Sequence, residues 1–397
     1  MAGALNSILS VNDNEIKSMN GMRSIAIIFV MLYHFDMAIR AMGIFDNMNA
    51  TARNIHSNML SGVDIFFILS GFLISLELSA AWQKKSHFFS RFYIKRFFRI
   101  VPAYYFLLIL SFALMFFKLS VLKSMPSGEE IVNNIKTIEM LLRNTLFDVF
   151  FIANIFSGGI PHLWAISTLQ QFYLVFPVIG FFVYFKRGFS GKIAILGALY
   201  VAFLAMRFAA AQSAGTWSGK PPALFSEHMR FESIIVGIML MEVYVHKKNY
   251  LQALRGYRAN LIMLSGLIIL AISHIYKPES AALYTSVIRF NLFSLGYGMI
   301  VLSLLAGVNF LDRFLSMRIF VPLSRVSFTM YLWHIVTSMF TVGLFSLKTT
   351  EMNYLNFYGI FMVYLAGTFV ISLVLYLIIE YPFHRLKDVL LRRIPAS

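Results

Sequence analysis

The sequence predicts an all-α, polytopic membrane protein of about ten transmembrane helices plus one interfacial helix. Three observations carry that. Hydrophobic residues fill 59% of the 397 positions and charged residues only 13%, where soluble domains carry about 25% charged residues. Apolar segments of about 20 residues, the length that crosses a bilayer as a helix, recur along the whole chain. The Lys and Arg residues behind the net charge of +16 gather between those segments. In a soluble chain such a balance would raise nucleic acid as a partner. Here it reads as topology first and as a surface for polyanionic ligands second, and no nucleic-acid partner is predicted. Cysteine is absent, which excludes disulfides, zinc thiolate sites and an acyl-cysteine intermediate. No metal site is predicted.

The predicted spans are 22–41, 61–82, 100–117, 164–185, 192–212, 230–246, 259–276, 289–307, 321–346 and 356–381. Segment 138–156 is apolar but holds Glu139, Arg143 and Asp148, and reads as an interfacial or half-buried helix. With the N-terminus inside, roughly two thirds of the 34 Lys and Arg fall on the cytoplasmic side, as the positive-inside rule asks. Both termini are then expected in the cytoplasm of a bacterium, with the chain in its inner membrane. Residues 1–20 show no cleavable signal pattern. With 384–397 they read as short cytoplasmic tails, so that 1–397 forms a single membrane domain without internal repeats.

The first span, "GMRSIAIIFVMLYHF" (21–35), carries Arg23 and His34. Eleven residues are about three helical turns, so both lie on one face about 16 Å apart. An ionisable group inside a bilayer is costly and faces a cavity or a partner. Histidine titrates near neutrality in water and suits proton transfer; the bland reading is a histidine satisfied by a neighbouring helix. The second span, "GVDIFFILSGFLIS" (62–75), puts Asp64 near the outer end as a partner for a histidine. Its Ser70 and Gly71 allow close approach of a helix or of a thin ligand. "RFYIKRFFRIVP" (91–102) sets Arg91, Lys95 and Arg99 on one helical face with Arg96 beside it, suited either to phosphates or to lipid head groups.

"IPHLWAISTLQQFYLVFP" (160–177) opens the fourth span with His162 and Trp164 and carries Gln170 and Gln171 within it. Arg207 falls inside the fifth span. Arg230 and Glu232 head the sixth, placed to touch a polar substrate or simply to sit at the interface. Tyr331 and His334 lie inside the ninth span, at a depth similar to His34, and Glu380 and Pro382 close the tenth. Neither a phosphate-binding G-x-x-x-x-G-K loop nor a G-x-S-x-G elbow is present.

In this order the motifs resemble the acyltransferase-3 family of membrane O-acyltransferases over about residues 17–386. They are Arg23 and His34 with ten residues between, GVDxFFxLSGFL at 62–73, Arg96-x-x-Arg99-x-x-Pro102, HLW…QFY…P at 162–177, RFExxxxGxxL at 230–240, SxxxYLxH at 327–334 and ExP at 380–382. Many members carry a glutamate four or five residues after the tryptophan. This chain has Leu169 and Gln170 in that region, so that carboxylate role is absent or passes to a glutamine or to Glu232. The resemblance implies the stand-alone form, without a fused extracytoplasmic esterase-like domain. It implies a cytoplasmic acyl-CoA donor, foremost acetyl-CoA, with Lys95, Arg96 and Arg99 on its phosphates and Arg23, Ser70 and Gly71 along its arm. The acceptor would be a hydroxyl of an extracytoplasmic or lipid-linked glycan such as lipopolysaccharide O-antigen. It would approach past His162, Trp164, Gln170, Arg230, Glu232, Tyr331 and His334. His34 would act as general base or as acyl-accepting nucleophile, with Arg23 and Asp64 in support. The rival reading is a transporter or flippase for a glycan or small anion, which should show inverted repeats; none is visible.

Overall fold

The computed structural model describes residues 8–10, 15–43, 45, 48–84, 87–126, 128–213, 228–276, 283–307, 309–346 and 352–394, and among these there is no strand. The helices are α1 Ser18–Ala41, α2 Ala50–Asn58, α3 Gly62–Lys84, α4 Phe88–Lys123 and α5 Glu129–Val149. They continue with α6 Trp164–Ile179, α7 Phe189–Ser213, α8 Phe231–His246, α9 Lys248–Ala253 and α10 Tyr257–Ile275. The last five are α11 Arg289–Ala306, α12 Phe310–Leu315, α13 Phe320–Ser346, α14 Tyr354–Leu375 and α15 Tyr381–Arg393. Side chains of Asn49, Asn309 and Asn353 cap α2, α12 and α14 by accepting from backbone N–H groups in the first turn. Around Pro382 the helix carries a π turn at Tyr376–Glu380 before α15. Proline has no N–H to return to the preceding turn, so the ladder slips there.

Nine helical stretches among the described residues are long and apolar enough to cross a bilayer. They correspond to every predicted span except the sixth. That one, α8, has only 16 residues and is walled in by α3, α7 and α11. Arg230 and Glu232 take up its first turn in ion pairs, which shortens the apolar run below bilayer length. The α3–α8 crossing is a close one. A Cβ on Gly71 would lie 2.1 Å from the Ile234 carbonyl oxygen, and one on Gly237 would lie 2.1 Å from that of Ile68. α1 sits at the centre of one half, packed on α3, α13, α14 and α2. Near its C-terminal end, Asp36 meets His56 of α2 (3.1 Å), whose other ring nitrogen meets the Tyr358 hydroxyl of α14 (3.0 Å), clamping three helices together.

The predicted interfacial helix takes an unexpected path. α5 runs back along α4 until the Tyr104 and Tyr105 hydroxyls, half-way along α4, donate to the carbonyls of Asp148 and Val149, both at 2.8 Å. The chain then turns. Asp148 Oδ2 accepts from the N–H groups of Gly159 (2.7 Å) and Ile160 (3.1 Å). The next turn, Pro161–Leu163, sits against Leu332 in the middle of α13. So α6 starts at half-height within the bundle, not at its end. That start is what delivers His162 to the interior.

Candidate active site

Three histidines from three helical segments meet at that level. His34 Nδ1 is 2.9 Å from the Val30 carbonyl and 3.2 Å from His334 Nε2. His334 Nδ1 is 2.7 Å from the Tyr331 carbonyl. A carbonyl only accepts, so both Nδ1 atoms carry the proton. His334 Nε2 therefore turns a lone pair toward His34 Nδ1–H, and His34 Nε2 is left as the basic nitrogen. His162 donates from Nε2 to the Leu332 carbonyl (3.1 Å), and its ring centroid lies 5.0 Å from that of His334. The Tyr331 hydroxyl donates to the His162 carbonyl at 2.5 Å. His334 and His162 are buried and His34 is half-buried. Among the described residues no group of His, Cys, Asp or Glu is arranged to hold a metal ion.

Below the histidines lies a narrow cavity of about 120 Å³. Its upper wall is Phe66 and Tyr331, and Tyr331 is the residue that holds His334 and His162. Ser70 of α3 and Leu169, Gln170 and Tyr173 of α6 line its sides. Arg23, Arg96 and Arg99 line it too. Arg23 and Arg99 also line a second, polar cavity of about 490 Å³ at the end of the bundle that carries α15. These two arginines thus stand at the junction of a polar chamber and an apolar one. Neither makes a hydrogen bond or an ion pair to any described residue. Arg96 does: Glu77 accepts from it at 2.6 Å, and its guanidinium lies over the Phe92 and Tyr173 rings.

Other predicted site residues are drawn elsewhere. Lys95 lines neither cavity; its ammonium is 2.7 Å from Glu77. Gly71 faces the α8 backbone and not the cavity, because that crossing leaves no room for anything between. Asp64 meets no histidine. Its carboxylate takes Arg230 Nη1 at 2.9 Å and the Ser233 hydroxyl at 2.8 Å, a buried charge needing a cation and donors close by. Glu232 accepts from Arg207 at two points, 2.9 and 2.7 Å. Trp164 is sandwiched between the His228 ring, stacked at 4.5 Å, and the Arg230 guanidinium at 5.2 Å. Glu380 accepts from the Thr329 hydroxyl and lines the polar cavity, with no arginine in ion-pair reach. Sequence reasoning missed Glu77, Tyr173 and Arg325. Glu77 had a signal: it stands at the basic end of a span whose next helix opens with a basic stripe.

A family model described as an acyltransferase domain matches residues 16–377. The chain belongs to the acyltransferase-3 family. Among curated proteins it is similar to the peptidoglycan O-acetyltransferase OatA of Listeria monocytogenes, 29% identical over 41% of this chain and 24% of that protein. It is 22% identical to the O-acetyltransferase OatA of Staphylococcus aureus over 80% of this chain and 50% of that protein. It is 27% identical to an uncharacterized protein of Haemophilus influenzae, over 52% of this chain and 84% of that one. The chain therefore spans a quarter to a half of the length of the two O-acetyltransferases it matches. No solved structure matches it.

Proposed function

We propose that this protein is a membrane O-acyltransferase that moves an acyl group, foremost acetyl, from cytoplasmic acyl-CoA to a hydroxyl of an extracytoplasmic or lipid-linked glycan. The carrying observation is the unpaired couple Arg23 and Arg99 where the two cavities join. Two guanidiniums that make no ion pair, at the mouth of an apolar channel, suit a ligand with phosphates at one end and a thin, uncharged arm at the other. Coenzyme A has that form. From Arg23 to His34 the helix rises about 16 Å. An extended pantetheine arm of roughly 15–20 Å, scaled from backbone-like spacing, covers the same reach. Family membership and the basic residues at this end of the bundle support a bacterial inner-membrane protein with this end in the cytoplasm.

In the proposed reaction the thioester lies beside His34. The acceptor hydroxyl gives its proton to His34 Nε2 as its oxygen forms the new bond to the acyl carbon. The carbon–sulfur bond breaks, and His34 passes the proton to the departing thiolate. While His34 is cationic, its Nδ1–H is shared between the Val30 carbonyl and the His334 lone pair, so His334 fixes the ring and stabilises the charge. His162 and Tyr331 stand beside His334 at that level, and Gln170 lines the cavity below.

The Listeria relative, a peptidoglycan O-acetyltransferase, makes peptidoglycan an acceptor to test beside O-antigen. The test is incubation of the purified protein with radiolabelled acetyl-CoA and each glycan. Label on a glycan, lost in His34→Ala, supports the reading. A folded His34→Ala protein with near wild-type transfer overturns the catalytic role, and a glycan that crosses a vesicle unmodified points to transport.

A further inference from the structure

The polar cavity is built differently from the channel above it. Arg23 and Arg99 form one side, Arg325 of α13 another, and Arg385 and Lys387 of α15 the outer rim. Against these five cations its lining holds two carboxylates, Glu380 and Asp388. Tyr376, Tyr381 and the His384 ring give it an aromatic wall. α15 is held there by Phe383 against Phe98 of α4, ring centroids 6.3 Å apart. Arg325 is engaged already: Glu15 accepts from it at 2.7 Å. Lys387 meets only its neighbour Asp388 among the described residues, at 3.3 Å, a partly exposed pair of little worth. The cations open to an incoming anion are therefore those of the rim on one side and of the junction on the other.

Resting on the acyl-CoA reading above, we propose that this cavity binds the 3′-phosphoadenosine end of the donor. The diphosphate sits at Arg23 and Arg99, the adenine packs on the tyrosine wall, and the 3′-phosphate is held by Arg385 and Lys387. A phosphate monoester carries close to two charges near neutral pH, and a guanidinium takes it with two parallel bonds. The protein would then distinguish coenzyme A from the same molecule without its 3′-phosphate, a feature remote from the reacting carbon. The C-terminal helix becomes part of donor recognition.

Equilibrium binding of CoA and of 3′-dephospho-CoA to the full-length protein in detergent tests this. Wild type is expected to bind CoA about tenfold or more tightly than 3′-dephospho-CoA. The double variant Arg385→Ala/Lys387→Ala should narrow that gap to within about threefold while keeping wild-type affinity for 3′-dephospho-CoA, which also reports that it is folded. The charge-keeping swap Arg385→Lys/Lys387→Arg should retain the preference. Equal wild-type affinity for the two nucleotides overturns the proposal, and so does an undiminished preference in the double alanine variant. No binding of either nucleotide overturns the donor reading itself, and this inference with it.

Discussion

His34 holds its proton on Nδ1, between the Val30 carbonyl and the His334 ring, which leaves Nε2 basic. In the proposed reaction His334 is a positioning residue, and its replacement has a signature that a packing role lacks. His334→Ala should lower kcat about 100-fold with donor KM nearly unchanged, because general base catalysis is worth about 10²–10⁴ and the ring would lose its holder. His334→Gln restores an oxygen acceptor for His34 Nδ1–H and should recover part of that loss; steady-state kinetics on both variants decide it. Arg99 acts earlier. Arg99→Ala should raise donor KM about tenfold, at little cost in thermal stability, since it ends a like-charge approach to Arg96 and breaks no ion pair. The sequence made the histidines and the basic stripe legible because spacing along one helix fixes height and face. It did not make partners legible. Asp64, Glu232 and Lys95 are paired across helices with Arg230, Arg207 and Glu77, and nothing in their own segments says so.

At the scale of elements, two devices place the site. One is the α3–α8 crossing. Gly71→Val should destabilise the protein by about 2 kcal/mol or more, read as a lower melting temperature in detergent, because the backbone of α8 occupies the space a side chain needs. The other is the return of α5 into the bundle, pinned by Asp148. Burial pushes its carboxyl up to about 7, against the two backbone N–H groups that pull it down. The unfolded chain loses that proton near pH 4 and the folded chain near 7, so stability falls as pH rises between them and levels off above. Asp148→Asn keeps an acceptor for Gly159 and Ile160 without a charge. Its melting temperature relative to wild type should therefore rise from pH 5 to pH 8, by at most about 3 kcal/mol in stability terms. Hydropathy found the spans because length and apolarity are local properties. It could not find that α6 begins at half-height, because that depends on two tyrosines of α4 receiving the end of α5.

For the whole molecule, the cation-lined cavity marks one end and the Asp36–His56–Tyr358 clamp lies toward the other. The chain has no cysteine, so single cysteines report sidedness directly. In intact cells an impermeant maleimide should label Thr51→Cys, at the exposed start of α2, and leave Asp388→Cys unlabelled until the membrane is opened; the reverse pattern inverts the proposed topology. The position of the histidine cluster has an energetic corollary. In the proposed reaction the acyl group leaves sulfur on one side of His34 and reaches oxygen on the other, while a proton makes the opposite journey through the same ring. One positive equivalent goes out and one comes in, and neutral reactants become neutral products. Transfer by that route would be electroneutral, driven by the thioester bond alone and indifferent to the membrane voltage.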